Sequence, residues 1–144
     1  MSNPDFIYTT YIRTTPEKVW AAIVTPEFTR QYWGMELHSD WKKGSRWTHN
    51  KPGDSEVTMA GDVLESLPPK TLVMTWSSCG KPDAPISRVR FEIEMVGEMT
   101  RLTVLHSELE DAETATKISG GWPRVLSSMK SFLETGQALD TWAA

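Results

Sequence analysis

The chain has 144 residues, with 15 lysines and arginines against 19 aspartates and glutamates, a formal charge of −4. That length fits one domain and buries roughly two-thirds of the unfolded surface, enough for a core without disulfide or metal staples. Disorder is excluded by 39% hydrophobic residues, and a pI near 5.4 with no basic block leaves little attraction for nucleic acid. The strongest local basic cluster, Lys42, Lys43 and Arg46, reads as a solvated turn. No apolar run is long enough for a membrane span, and the opening MSNPDF has neither region of a signal peptide. Cys79 is the one cysteine, which rules out an internal disulfide and fits a reducing cytoplasm.

Residues 5–13 alternate, with Phe6, Tyr8, Thr10 and Ile12 on one side, and predict a strand. Thr15 is placed to cap a helix whose first turn tolerates Pro16, and Val19, Trp20 and Ile23 form its apolar stripe. Thr25-Pro26-Glu27 repeats the start signal, so the first helix ends near Val24 and a short second one carries Phe28 and Tyr32. After Gly34 the pattern alternates. Residues 35–41 and 45–50 read as strands around Lys42-Lys43-Gly44, and Lys51-Pro52-Gly53-Asp54 as a turn. Residues 56–66 form a longer strand ending at Pro68-Pro69, and residues 71–77 set Leu72, Met74 and Trp76 against Thr71, Val73 and Thr75. The stretch 79–85, with Gly80, Pro82 and Pro85, is a loop. Residues 87–96 place Val89, Phe91, Ile93 and Met95 inward and Arg88, Arg90, Glu92 and Glu94 outward. Gly97-Glu98-Met99 is a hairpin turn, after which residues 100–109 set Leu102, Val104 and His106 on one face.

Residues 123–135 carry Val125, Leu126, Met129, Phe132 and Leu133, a wide helical stripe closed by Gly136. A shorter helix over about 111–119 precedes it, and Gly120, Gly121 and Pro123 are expected to bend or break the chain between the two. The order predicts one α+β domain over residues 1–144, a long helix packed across a curved antiparallel sheet.

Several of these pieces fall in a familiar order. They are Thr15-Pro16-Glu17-Lys18-Val19-Trp20, Thr25-Pro26-Glu27, Tyr32-Trp33 and Gly61-Asp62-Val63-Leu64-Glu65. Then come Pro68-Pro69 with Leu72 and Trp76, Thr100-Arg101-Leu102-Thr103, His106, and Gly121-Trp122 leading into the last helix. From about residue 6 to 137 the chain resembles the START-like (SRPBCC) helix-grip superfamily, which includes the birch pollen allergen, polyketide cyclases and lipid-transfer domains. More narrowly, it resembles the bacterial single-domain relatives of the activator of the heat-shock-protein ATPase. The eukaryotic activator is similar only in its C-terminal domain. The resemblance implies a sheet of about six or seven strands wrapped around a long C-terminal helix, two short helices after the first strand, and a cavity between sheet and helix. It implies no single activity, since the fold hosts carriers, cyclases and co-chaperone modules.

No glycine-rich phosphate loop, serine elbow or paired-histidine zinc motif is present. His38, His49 and His106 are far apart in sequence, so no metal site and no cofactor is expected. His106 is the candidate catalytic residue. Facing the cavity, it would donate a hydrogen bond or act as a general base; otherwise it is a structural histidine at a strand end. Asp62 and Glu65 read as exposed or ion-paired, and Glu108, Glu110, Asp111 and Glu113 as charge complementing a helix N-terminus. Cys79, with only Lys81 nearby, has nothing to lower its pKa.

Seven tryptophans against four phenylalanines and three tyrosines suggest an aromatic interior with polar tips. The expected ligand-binding lining is Trp33, Trp41, Trp47, Met74, Trp76, Phe91, Ile93, Leu102, Val104, His106, Trp122, Leu126 and Met129. The first functional expectation is a cytoplasmic binding protein for a small apolar or aromatic molecule. The second is a cyclase- or hydrolase-type enzyme using His106. The third is an interaction module, a chaperone partner or a homodimer, with Trp142 as a hint of a contact surface.

Overall fold

The computed structural model describes residues 5–79, 83–109 and 112–139, without the side chains at 112, 113, 115 and 117. Trp142, the loop residues Gly80 and Pro82, the acidic Glu110 and Asp111, and the side chain of Glu113 lie outside the described residues. The elements run β1 (Phe6–Ile12), α1 (Pro16–Val24), α2 (Pro26–Trp33), β2 (Glu36–His38), β3 (Arg46–Asn50), β4 (Val57–Leu67), β5 (Thr71–Ser78), β6 (Ser87–Val96), β7 (Met99–Ser107) and α3 (Ala112–Thr135). The seven strands make one antiparallel sheet in the order β1-β7-β6-β5-β4-β3-β2, curled around α3. β1 and β2 lie on opposite edges, and α1 with α2 carries the chain between them.

Local chemistry explains the helix bounds. The Lys18 N–H donates to Thr15 Oγ1 at the start of α1, where Pro16 needs no partner. Gly34, at φ 80°, closes α2 with its N–H on the Arg30 carbonyl. The Tyr32 hydroxyl, buried between the two helices, donates to the Ala22 carbonyl at 3.0 Å. Asp62 and Glu65 form exposed ion pairs with Arg46 and Arg90. The inward faces of the strands meet α3 in one core around Leu72, Met74, Phe91, Leu102, Val104, Leu126 and Met129.

Three sequence expectations are corrected. The strand expected over 35–41 is only Glu36–His38, because Trp41 leaves extended geometry at φ 58°. Its N–H donates to Ser39 Oγ at 2.9 Å and its carbonyl accepts from Ser66 Oγ at 2.7 Å. The bend drives the indole inward and leaves Lys42, Lys43 and Gly44 exposed. Met95 is 50% exposed rather than inward. It lies near the tip of the β6–β7 hairpin, beside an open groove shared with Pro16 and Glu17.

The third correction is α3, one unbroken helix through Gly120, Gly121 and Pro123. Pro123 removes the hydrogen bond to the Ser119 carbonyl, but Ser119 is exposed, so solvent can satisfy that carbonyl at little cost. Trp122, Val125, Leu126 and Met129, all buried, hold the helix down on either side of the proline. Gly136 ends it at φ 83°, its N–H on the Phe132 carbonyl, as its position predicts. Lys130 Nζ then reaches the Tyr11 carbonyl, and Glu134 accepts from the Arg13 N–H, tying α3 to β1.

Gly61 is required by a close approach. It pairs with Trp47 across β3 and β4, and the Trp47 indole passes over it to donate to the Thr75 carbonyl on β5 at 2.7 Å. A Cβ at Gly61 would stand 1.9 Å from the Thr75 oxygen and 2.6 Å from Trp47 Nε1. Gly61→Ala is therefore expected to cost about 3 kcal/mol, read as a lowered urea midpoint with unchanged slope. Gly120 and Gly121 are the opposite case, since nothing stands within 4 Å of an added Cβ at either. Replacing both with alanine should raise stability by about 1–2 kcal/mol, seen as a higher melting temperature.

Candidate functional site

A hydrogen-bonded chain crosses the core where α3 meets the ends of β5, β6 and β7. Trp122 Nε1–H donates to His106 Nδ1 at 3.1 Å. An accepting Nδ1 puts the imidazole proton on Nε2, which donates to Ser87 Oγ at 2.6 Å. The Ser87 hydroxyl in turn donates to the Trp76 carbonyl at 3.2 Å. His106 is fully buried, and burial pushes its pKa down to about 4. His49 on β3 is held down to about 4 by the same cause, which outweighs a backbone hydrogen bond acting the other way. Its Nδ1 lies 3.1 Å from Thr58 Oγ1, whose hydroxyl donates to the His49 carbonyl.

Trp76 is the centre of an aromatic cluster. Trp33 stacks on it at 6.1 Å between centroids, and Trp47 and Trp122 lie at 4.9 and 5.8 Å. His49 and His106 both flank it at 5.9 Å. Trp33 also meets His49 edge-on at 5.3 Å and Trp122 at 5.6 Å, and Phe91 meets Trp122 edge-on at 5.8 Å. These rings come from α2, β3, β5, β6, β7 and α3, so the cluster joins both helical layers to the sheet.

Beside this cluster lies a hollow of about 120 Å³. Trp76, His106, Met59, Leu109 and Ile118 line it, with Ser77, Ser78, Ser87, Pro85, Glu108 and Thr114 around them. The Trp76 indole N–H has no acceptor among the described residues. No buried side-chain nitrogen or oxygen among them is left unpaired, so that N–H reaches accessible space. Glu108 stands at the rim at φ 60° and pairs with Arg88 at 3.1 Å. The hollow therefore has an apolar wall with several hydroxyls, and Trp76, whose indole N–H is unused among the described residues, lines it.

Of the thirteen lining residues expected from sequence, Trp76 and His106 border this hollow, while Trp33, Trp47, Phe91 and Trp122 stand in the ring cluster behind it. Met74, Ile93, Leu102, Val104, Leu126 and Met129 are packed in the core. Trp41 lies at the far end of the sheet and lines a different groove. Sequence reasoning missed Ser87, although it shares parity with Val89 and Phe91. It also missed His49, which shares parity with Trp47. The separation of His49 from His106 along the chain hid their common neighbour, Trp76.

An antiparallel sheet gripping a C-terminal helix, with two short helices after the first strand, defines the helix-grip class of α+β proteins. Within that class, the chain belongs to the family described as Activator of Hsp90 ATPase homolog 1-like protein, whose profile matches residues 13–134. No curated protein sequence matches it. Among solved structures it is similar to the Aha1 dimer from Colwellia psychrerythraea, at 20% identity and TM-score 0.80, covering 94% of this chain and 99% of that one. It is similar to CalU16 from Micromonospora echinospora at 22% identity and TM-score 0.74, covering 92% and 77%. It is similar to PFC0360w, an HSP90 activator from Plasmodium falciparum, at 20% identity and TM-score 0.75, covering 90% and 95%. At these identities the likeness shows the fold.

The buried histidines make stability depend on pH. An unfolded histidine titrates near 6.5, and His106 and His49 in the folded chain near 4, so between those values the unfolded chain binds protons that the folded chain does not. Stability is full above pH 6.5 and falls toward pH 4, by about 3 kcal/mol for each histidine. Urea midpoints measured across that window should show the decline. His106→Phe should lower stability at neutral pH by about 2 kcal/mol, through the stranded Trp122 N–H, and make the pH dependence shallower.

Proposed function

We propose that the chain binds a small aromatic or apolar molecule carrying one hydrogen-bond acceptor, between the sheet and α3 beside Trp76 and His106. The observation that carries this is Trp76, a residue 9% exposed that lines an apolar hollow and whose indole N–H has no acceptor among the described residues. Its size suits a single ring, since a cavity of about 150 Å³ holds one benzene. His106 orients the wall and is not the proton acceptor in this reading. Its Nδ1 lone pair is taken by Trp122 and its Nε2–H by Ser87. The enzyme reading needs that imidazole to release Trp122, and it has correspondingly less support. A cytoplasmic setting belongs to the same proposal and rests on the lone Cys79. Among the described residues, no helix is long and apolar enough to cross a membrane.

A second reading is an interaction module acting as a homodimer or beside a chaperone. It is supported by the family and by the similarity to an Aha1 dimer and to an HSP90 activator. Light scattering on the purified chain, with and without a chaperone ATPase, tests it directly. A monomer without effect on the ATPase overturns it.

The ligand proposal is tested by titrating acetophenone and toluene while following tryptophan fluorescence and amide chemical shifts. Both should bind saturably, with shifts at Met59, Ser87 and Ile118. Trp76→Phe should weaken acetophenone by about 3–10-fold and leave toluene nearly unchanged, because it removes one neutral hydrogen bond and keeps the ring. Ile118→Phe, which fills the hollow, should abolish both. Linear, non-saturating responses to both ligands overturn the proposal.

A further inference from the structure

A second groove lies at the opposite end of the sheet, between α1, the loop that joins β2 to β3, and the end of β4. Trp20, Val24, Asp40, Trp41, Lys42, Lys43, Ser66 and Pro68 line about 430 Å³ of space. That volume falls within the range of roughly 300–1,000 Å³ typical of small-molecule sites. It is several times the hollow beside Trp76, and the two share no lining residue.

Trp41 is the notable residue here. It is a bulky side chain at φ 58°, a backbone region that such residues rarely adopt, and its peptide groups are fixed on both sides by Ser39 and Ser66. The residue is more than nine-tenths buried. Its indole N–H nevertheless has no acceptor among the described residues, while no buried polar side-chain atom is left unpaired. The N–H therefore keeps some accessible surface, and Trp41 lines this groove. The half-buried Trp20 on the facing wall likewise has an indole N–H without an acceptor. Lys42 and Lys43 on the rim are exposed and form no ion pair among the described residues. Asp40 on the same rim carries the one opposing charge, and nearby Arg46 is taken up by Asp62.

We propose that this groove binds a small apolar carboxylate, its chain or ring lying against Trp20, Val24 and Pro68 and its carboxylate between the Trp41 indole N–H and the ammonium groups of Lys42 and Lys43. A carboxylate accepts from several donors at once and carries the charge that complements two unpaired ammoniums. A neutral apolar ligand would leave that charge unused, and a cation would be repelled. In a chain of net charge −4, two adjacent unpaired cations beside two unused indole donors give an anion its foothold.

The test is calorimetric and spectroscopic titration of the full chain with octanoate, octanol and octylamine. Octanoate should bind saturably, with chemical-shift changes centred on Trp20, Val24, Trp41 and Ser66. Octanol should bind at least tenfold more weakly and octylamine not at all. The double variant Lys42→Gln with Lys43→Gln should lose at least tenfold in octanoate affinity and none in octanol affinity. Asp40→Asn should tighten octanoate a few-fold, and raised salt should weaken it. Ile118→Phe, which fills the other hollow, should leave octanoate binding unchanged. Equal affinity for octanoate and octanol, an unchanged double lysine variant, or shifts centred instead on Met59, Ser87 and Ile118 would each overturn the proposal. Because the lysines are exposed, their replacement leaves the fold intact, which the unchanged circular dichroism spectrum of the double variant verifies.

Discussion

The hydrogen bond from the Trp122 indole to His106 Nδ1 fixes where α3 sits on the sheet. Apolar contact between a helix and a sheet is non-directional and tolerates sliding. A buried donor with one acceptor does not, because displacing it strands both groups at about 1–3 kcal/mol each. The same bond selects the imidazole tautomer, which sends the remaining proton to Ser87 and the serine proton to the Trp76 carbonyl. One indole on α3 thereby sets the helix against β7, β6 and β5 together. No member of that chain is left unsatisfied, which is the condition under which a polar network inside an apolar core adds rigidity rather than cost.

That fixed frame explains the arrangement around Trp76. Aromatic pairs with offset or edge geometry contribute about 0.5–1.5 kcal/mol beyond their buried area, and Trp76 has five such neighbours in Trp33, Trp47, His49, His106 and Trp122. The ring is held from every side, yet its own N–H is left over. The strained positions fall in a matching pattern. Among the described residues, the non-glycine positions with positive φ are Trp41 and Glu108, and each borders one of the two candidate sites. Such backbone persists only where its surroundings over-determine it. Ser39 and Ser66 do so for Trp41, and Arg88 braces Glu108.

Alternation along the strands made most of the sheet legible, down to His106 sharing a face with Leu102 and Val104. Parity says which face a residue occupies but not which rings meet there. Trp33 from α2 and His49 from β3 reach Trp76 only through sheet curvature, which no local pattern encodes. The Trp41 bend was illegible for a related reason. Besides the local Ser39, it is braced by Ser66, 25 positions away, whose hydroxyl holds the Trp41 carbonyl. The glycines and proline of α3 misled in the other direction, because intrinsic propensity argues for a break there and tertiary anchoring by Trp122, Val125 and Leu126 overrides it.

That override is uneven along α3. From Trp122 onward the helix buries Val125, Leu126, Ser128 and Met129, and it is tied to β1 through Lys130 and Glu134. Before Gly120, the residues that border the hollow, Thr114 and Ile118, are only partly buried. That first half of α3 is the more weakly held wall of the hollow. It is separated from the anchored half by two glycines with no packing contacts at Cβ and by a proline that has already removed one helical hydrogen bond. The tautomer-fixing bond at Trp122 lies on the anchored side of the glycines, so displacing the first half leaves the His106 chain and the orientation of Trp76 in place.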